Sequence, residues 1–381
     1  MKKILVIVLA VILTLSLSLS SVTFAAGGEK EVELAQEAGQ AWLDSTVELT
    51  GEPLEWLGAH LTTPQVCYDL KGEPNAYMFA MENNGEVVGY IIVGSSAYGY
   101  PMFEAADIPP PAIPSADECK SILERDLGLK VAKIGNPTRL LYLGFDNLYA
   151  VYQAGQQEVA VNVPFDFAVP AANLTAAMPS PEEYKAAVEA TEEAKPELLG
   201  GGWGWNFLPM YYPYFCGYYC GPSSGVAIGQ YYKNQRGYSS LPDADQMYDQ
   251  LYWFMSWGMG PVFPWQYGTG FVLMTWEAGY DNFHYALDYI VTGGDYWNRV
   301  ADIDNGWPIA LYSTNFFYLE EPDTDIPHWV AIRGYEYPHY HPTGPIQHAI
   351  CCVDNWRCTH MLWLNWDSIG VSPVTVTIKD S

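Results

Sequence analysis

Apolar residues change their period several times along this chain, and each change marks an element. Between Glu31 and Leu43, the positions Val32, Leu34, Ala35, Ala38, Ala41 and Trp42 recur at helical spacing. Two β-type runs, Ala76–Met81 and Val87–Val93, flank Asn83-Asn84-Gly85, and Asn-Gly between such runs predicts a hairpin. Asp117-Glu118-Cys119 opens a short helix through Leu127, and Leu148–Gln153 with Glu158–Val163 reads as a second hairpin around Gly155. Residues 26–175 therefore predict a small α+β domain with an antiparallel sheet.

The pattern then breaks. Pro179-Ser180-Pro181-Glu182-Glu183 leads a polar stretch, rich in alanine and glutamate, that ends at Lys195-Pro196. One solvated connector helix, Glu182 to Ala194, fits it, and Gly200-Gly201-Gly202 adds a flexible joint, so 176–202 reads as a linker. From Trp203 the chain is dense in Trp, Tyr and Gly. Helices are expected after Cys220, over Asp245–Met255 and over Gly270–Gly279, with a glycine-rich loop at Gly258-Met259-Gly260-Pro261. Strands are expected at Trp307–Ser313, His328–Tyr335, Ile346–Val353, His360–Trp366 and Val374–Ile378. Helices first and antiparallel strands afterwards make 203–381 a second α+β domain.

The N-terminus changes the picture of where the protein works. Lys2-Lys3, an apolar run from Ile4 to about Leu19 and then Ser20-Ser21-Val22-Thr23-Phe24-Ala25-Ala26 have the layout of a secretory signal over 1–25, cut after Ala25. An uncleaved anchor is the rival, since the run nearly spans a bilayer. No Cys follows the cut, so there is no lipoprotein attachment point, and no later segment is apolar enough to span. The expected location is secreted or at the cell surface. A formal charge of −27 argues against nucleic acid and anionic membrane surfaces as partners. With 15% aromatic and 16% charged residues, the chain is too hydrophobic for disorder and fits a packed core.

There are seven cysteines, and in a secreted chain the odd one is a free thiol. If Cys220 is that thiol, six remain for up to three disulfides: Cys67 with Cys119, and two among Cys216, Cys351, Cys352 and Cys358, all subject to the redox state of the source. Zinc at Cys216-x-x-x-Cys220 is the weaker reading, because no partner pair follows at finger spacing. Pro338-His339-Tyr340-His341-Pro342, with His348 and His360, reads as a solvated loop between strands rather than a metal site, since no carboxylate motif accompanies it. Trp203, Tyr211, Tyr218 and Trp265 either line an aromatic substrate groove or are ordinary core and rim.

Three residues carry the candidate chemistry. Cys220-Gly221-Pro222 opens the helix, and a thiol at a helix N-terminus sits near free N–H groups and the positive end of the dipole, which favour thiolate. His328 lies on one expected strand and Asp354 at the end of the next. A cysteine hydrolase needs a thiolate, an imidazole beside it and a group to orient the imidazole, in the roles of Cys220, His328 and Asp354. Asn355 is the rival orienting group, one residue along. Taken singly, Cys220 fits a packed core residue or half of a disulfide, His328 a satisfied core histidine and Asp354 the start of a turn.

From Pro209 to Asp367 the chain resembles the C39-like, bacteriocin-processing-type branch of papain-like cysteine peptidases. The resemblance rests on Cys220-Gly221-Pro222-Ser223-Ser224, Gly237 to Pro242, Asp304 to Ile309, His328 to Tyr335 and Val353-Asp354-Asn355-Trp356, in that order. It implies a papain-like domain and a peptidase using Cys220, His328 and Asp354, with no cofactor and no metal. One departure matters. The family's Gln before the Cys, the second oxyanion donor, is absent from Pro209 to Cys216, leaving Tyr214 or Asn206 as candidates. The first half more loosely resembles the propeptides of streptopain-like peptidases at Tyr77-Met78-Phe79, Gly85 and Gly89-Tyr90-Ile91-Ile92-Val93. That implies either a zymogen cover that inhibits intramolecularly or a lasting accessory domain. The expected function is hydrolysis of peptide amide bonds in a peptide or protein substrate. Its rivals are a catalytically inactive papain-fold binding module and an amidase or isopeptidase of the same chemistry.

Overall fold

Strands from both ends of the sequence meet in one sheet. The computed structural model describes residues 28–145, 147–176, 178–195, 204–210, 219–256, 262–289, 295–313, 328–337, 348–354, 359–369 and 374–380. The expected signal segment, the triglycine joint, Trp203, Tyr211, Tyr214, Cys216, Tyr218, His339, His341, Asn355 and Cys358 lie outside those residues. The fold is mixed α/β, with seven α-helices among the described residues and a large, mostly antiparallel sheet.

The first half holds strands β1 (His60–Leu61), β2 (Gln65–Tyr68), β3 (Pro74–Asn83), β4 (Glu86–Gly94), β5 (Met102–Ala106), β6 (Arg139–Tyr142), β7 (Leu148–Ala154), β8 (Gln157–Asn162) and β9 (Phe167–Pro170). The second holds β10 (Gly204–Phe207), β11 (Phe283–Tyr289), β12 (Ile309–Ser313), β13 (His328–Tyr337), β14 (Ala349–Asp354), β15 (Thr359–Asn365) and β16 (Val374–Asp380). Their order is β11-β16-β12-β13-β14-β15-β5-β4-β3-β2-β6-β7-β8-β9, with β1 beside β3 and β10 beside β13. The β2–β6 pair is parallel. The first predicted hairpin is the β3–β4 pair. Asn83 faces Glu86, and Asn84 and Gly85 both take positive φ, which such two-residue turns demand and Asn-Gly supplies most easily.

The join between the halves is the β5–β15 pairing, where Leu362, Trp363 and Leu364 face Ala106, Ala105 and Glu104. Asn365 Nδ2 reinforces it by donating to the Met102 carbonyl at 3.0 Å. Helix α1 (Glu29–Thr50) buries Ala35, Gly39, Trp42, Leu43, Thr46 and Val47, a stripe at i, i+4, i+7 and i+8. That stripe covers one face of the joined sheet. Trp42 packs edge-on against Trp56 of the first half and Trp363 of the second, at 6.2 and 5.9 Å. Thr46 Oγ1 reaches Glu336 on β13 at 3.4 Å.

The opposite face carries α2 (Ala116–Leu127), α3 (Pro181–Glu193), α4 (Cys220–Gln235), α5 (Ala244–Ser256), α6 (Pro264–Glu277) and α7 (Asp295–Asp304). Helix α3 is the expected connector, capped by Ser180 and Glu183, but it is not solvated all round. Tyr184 and Thr191 are buried, Tyr184 Oη accepts from Asn365 Nδ2 at 3.1 Å, and the Thr191 carbonyl accepts from Trp297 Nε1 at 2.6 Å. Helix α4 is buried on nearly every side. Gly225 and Gly229 let α5 come close, since a Cβ at either would meet Leu251 at 2.9 Å or Met247 at 2.3 Å.

Candidate active site

Cys220 is the first residue of α4, as expected from the Gly-Pro pair behind it. Aromatic packing holds this turn. Ser224 Oγ bonds the Gly221 carbonyl at 2.9 Å and lies 3.1 Å from Tyr267 Oη. Tyr267 stacks on Trp329 with ring centroids 4.3 Å apart, and Trp329 Nε1 donates to the Val262 carbonyl. Trp329 follows His328 on β13, so the same packing that fixes the helix start fixes the strand that carries the imidazole.

His328 opens β13 and Asp354 closes β14, the neighbouring strand. His328 Nε2 lies 3.1 Å from Asp354 Oδ1. Cys220 lies close enough to the imidazole to help raise its pKa. Cys220 is 8%, His328 1% and Asp354 0% exposed. Burial works to lower the His328 pKa, but the Asp354 charge and hydrogen bond, and then Cys220, hold it well above the usual histidine range. The three sequence candidates thus come together, with Asp354 bonded to the imidazole and Cys220 close enough to perturb it.

Other expectations fare differently. Asn206 is not at this point. It pairs with Tyr335, seven residues along β13 from His328, or roughly 23 Å at strand rise, and its Nδ2 is engaged by Asp304 at 2.9 Å. The expected disulfide partners Cys67 and Cys119 are both free buried thiols, as are Cys351 and Cys352. Cys351 and Cys352 are adjacent on β14, so their side chains leave opposite faces of the sheet. Of the expected aromatic groove only Trp265 is described. It is exposed, near the start of α6, which also exposes Phe263 and Trp276 at its two ends.

His348 leaves the expected solvated loop altogether. It is buried, with Nδ1 2.8 Å from Asp367 Oδ2 and Nε2 2.8 Å from Glu192 Oε1. Thr191 Oγ1 donates to the other Asp367 oxygen at 2.8 Å. The sequence reading missed this cluster. A signal existed in α3, where Tyr184, Val188 and Thr191 recur at helical spacing. It also missed Phe165, whose ring meets that of His328 edge-on with centroids 6.3 Å apart. Among the described residues no group of three or more His, Cys, Asp or Glu side chains is arranged to hold a metal, and no helix is long and apolar enough to cross a membrane.

No family model, curated protein or solved structure matches this chain.

Proposed function

We propose that this protein is a secreted, papain-like cysteine peptidase of the C39-like kind that cleaves peptide amide bonds through a thioester on Cys220. The observation that carries the reading is the His328 imidazole, bonded to Asp354 at 3.1 Å with Cys220 close enough to perturb it.

The chemistry follows from that geometry. The Cys220 thiolate attacks the amide carbonyl carbon, and its oxygen takes the negative charge. The Cys220 backbone N–H, in the first turn where a helix leaves its donors to outside acceptors, supplies one hydrogen bond to that oxygen. The His328 cation passes its proton to the amide nitrogen, the C–N bond breaks, and the amine leaves. His328, now neutral, takes a proton from water as the water oxygen attacks the thioester. The C–S bond breaks, the acid leaves, and thiolate and imidazolium are restored. Asp354 keeps the ring in one orientation and offsets its charge.

Two further readings have support of their own. The near-complete burial of His328 and the absence of the usual Gln favour a papain-fold binding module without turnover. The same Cys-His-Asp chemistry also suits an amide outside ordinary peptides, such as an isopeptide. The test is hydrolysis of fluorescein-labelled casein by the purified protein. Turnover that disappears in Cys220→Ala, with the fold kept, is expected. Equal turnover in Cys220→Ala rules out the nucleophile, and no turnover in the wild type rules out the peptidase and leaves the binding module or the isopeptidase.

A further inference from the structure

We infer that the N-terminal half is a permanent part of the catalytic centre, with Phe165 as the residue that positions His328. The inference rests on the reading of Cys220, His328 and Asp354 given above.

Phe165 lies in the turn between β8 and β9, 163 residues before His328. Its ring approaches the imidazole edge-on, 6.3 Å between centroids and 64° between planes, a favourable arrangement for two aromatic rings. It does not stand between the catalytic groups, since Nε2 keeps Asp354 and Cys220 still interacts with the ring. Phe165 instead closes one side of an assembled triad and limits how far the imidazole can rotate.

The turn is braced for such a task. Asn162 Oδ1 accepts from the Phe165 N–H at 3.0 Å, and the Asn162 carbonyl accepts from the Asp166 N–H at 3.0 Å. Arg125 of α2 donates to the Asp166 carbonyl, and Asp126 accepts from the Ala168 N–H at 2.9 Å. An aromatic side chain on a turn tied down at both ends is held to a fixed place.

The rest of the first half is built in rather than laid on. The β5–β15 pairing runs the sheet from one half into the other. Trp42 bridges Trp56 and Trp363 on the opposite face. Helix α3 is held through Glu192, His348 and Asp367. Removing the first half would unpair the β15 edge and expose Trp363, which is fully buried. A segment meant to leave after one cut leaves a finished surface behind it, and this one does not.

The test uses the full-length protein and iodoacetamide, with alkylation of the Cys220 peptide followed by mass spectrometry. Phe165→Ala should slow alkylation roughly three- to tenfold, and Phe165→Tyr, which keeps the ring, should restore it. On labelled casein the loss should fall on kcat, with KM unchanged. A protease site placed within 196–202 and cut should leave both pieces together in native gel filtration, at an unchanged rate. Faster alkylation in Phe165→Ala, an unchanged rate, or release of the first half with a rise in rate would each overturn the inference. If Cys220 in the wild type reacts no faster than Cys67, the underlying reading of the site fails instead, and the inference with it.

Discussion

Among the described residues two histidines are buried beside carboxylates, and both are pushed toward the cationic form, yet their second neighbours differ. His328 has Asp354 on Nε2 and the Cys220 thiol near its ring. His348 has Asp367 on Nδ1 and Glu192 on Nε2. For both, burial acts to lower the pKa and the carboxylates win. The difference lies in the second partner. A ring saturated by two carboxylates has no nitrogen from which to pass a proton to a substrate. It holds α3 against the residues after β15. A ring with one carboxylate and one thiol can trade a proton with a reacting group. Burial and the direction of the pKa shift therefore do not distinguish the two rings; the nature of the second neighbour does.

The largest expected effect breaks the comparison on the His328 side. Asp354→Ala should cut casein hydrolysis by about 10²–10⁴, because the imidazole loses both its orientation and its counter-charge. Urea unfolding of the same variant shows whether the loss exceeds any change in stability. A mild Asp354→Ala beside a crippled Asn355→Ala would move the orienting role one residue along the chain.

On the other side, His348→Gln should leave hydrolysis within about twofold. It should lower unfolding stability by about 3–5 kcal/mol in urea, since two carboxylates then share a buried site without a cation. A large loss of turnover in the folded variant would erase the distinction between the two rings.

A smaller effect sharpens the comparison through pH. The folded His348 pKa is raised above 6.5, so its stabilisation is full below that value and is lost as pH rises through the folded pKa. The hydrogen bond from His348 holds Glu192 below 4.5, so its share is present above that value and is lost as pH falls through the folded pKa. The clamp is therefore strongest from about pH 4.5 to 6.5. His348→Gln should flatten the alkaline fall in stability. His328 adds a fall of the same sign, which this variant should leave in place.

Local chemistry made much of this legible in the sequence. Cys220 does begin a helix, and His328 and Asp354 do end up on adjacent strands, because Gly-Pro pairs and alternating apolar runs act over a few residues. The β3–β4 turn was readable from Asn84-Gly85 for the same reason. What stayed hidden depends on partners far apart in the chain. Glu192 looked solvated because its partner, His348, lies 156 residues away. Phe165 looked like part of an ordinary turn because nothing near it in sequence announces a histidine. The β5–β15 pairing joins strands from 26–175 and 203–381, two stretches that read as separate domains. Asn206, named for its side chain alone, lies at the wrong end of β13, since strand pairing rather than residue type sets its place.

The central claim is that Cys220 works as a nucleophile paired with His328, and alkylation tests it most directly. Burial pushes Cys67 and Cys351 up to about 12 and Cys119 up to about 11, so these thiols are internal controls. The account predicts that iodoacetamide labels Cys220 at neutral pH while the controls stay unlabelled, and that His328→Ala slows the labelling of Cys220. Labelling of Cys220 no faster than that of the controls, or that His328→Ala leaves unchanged, would contradict it.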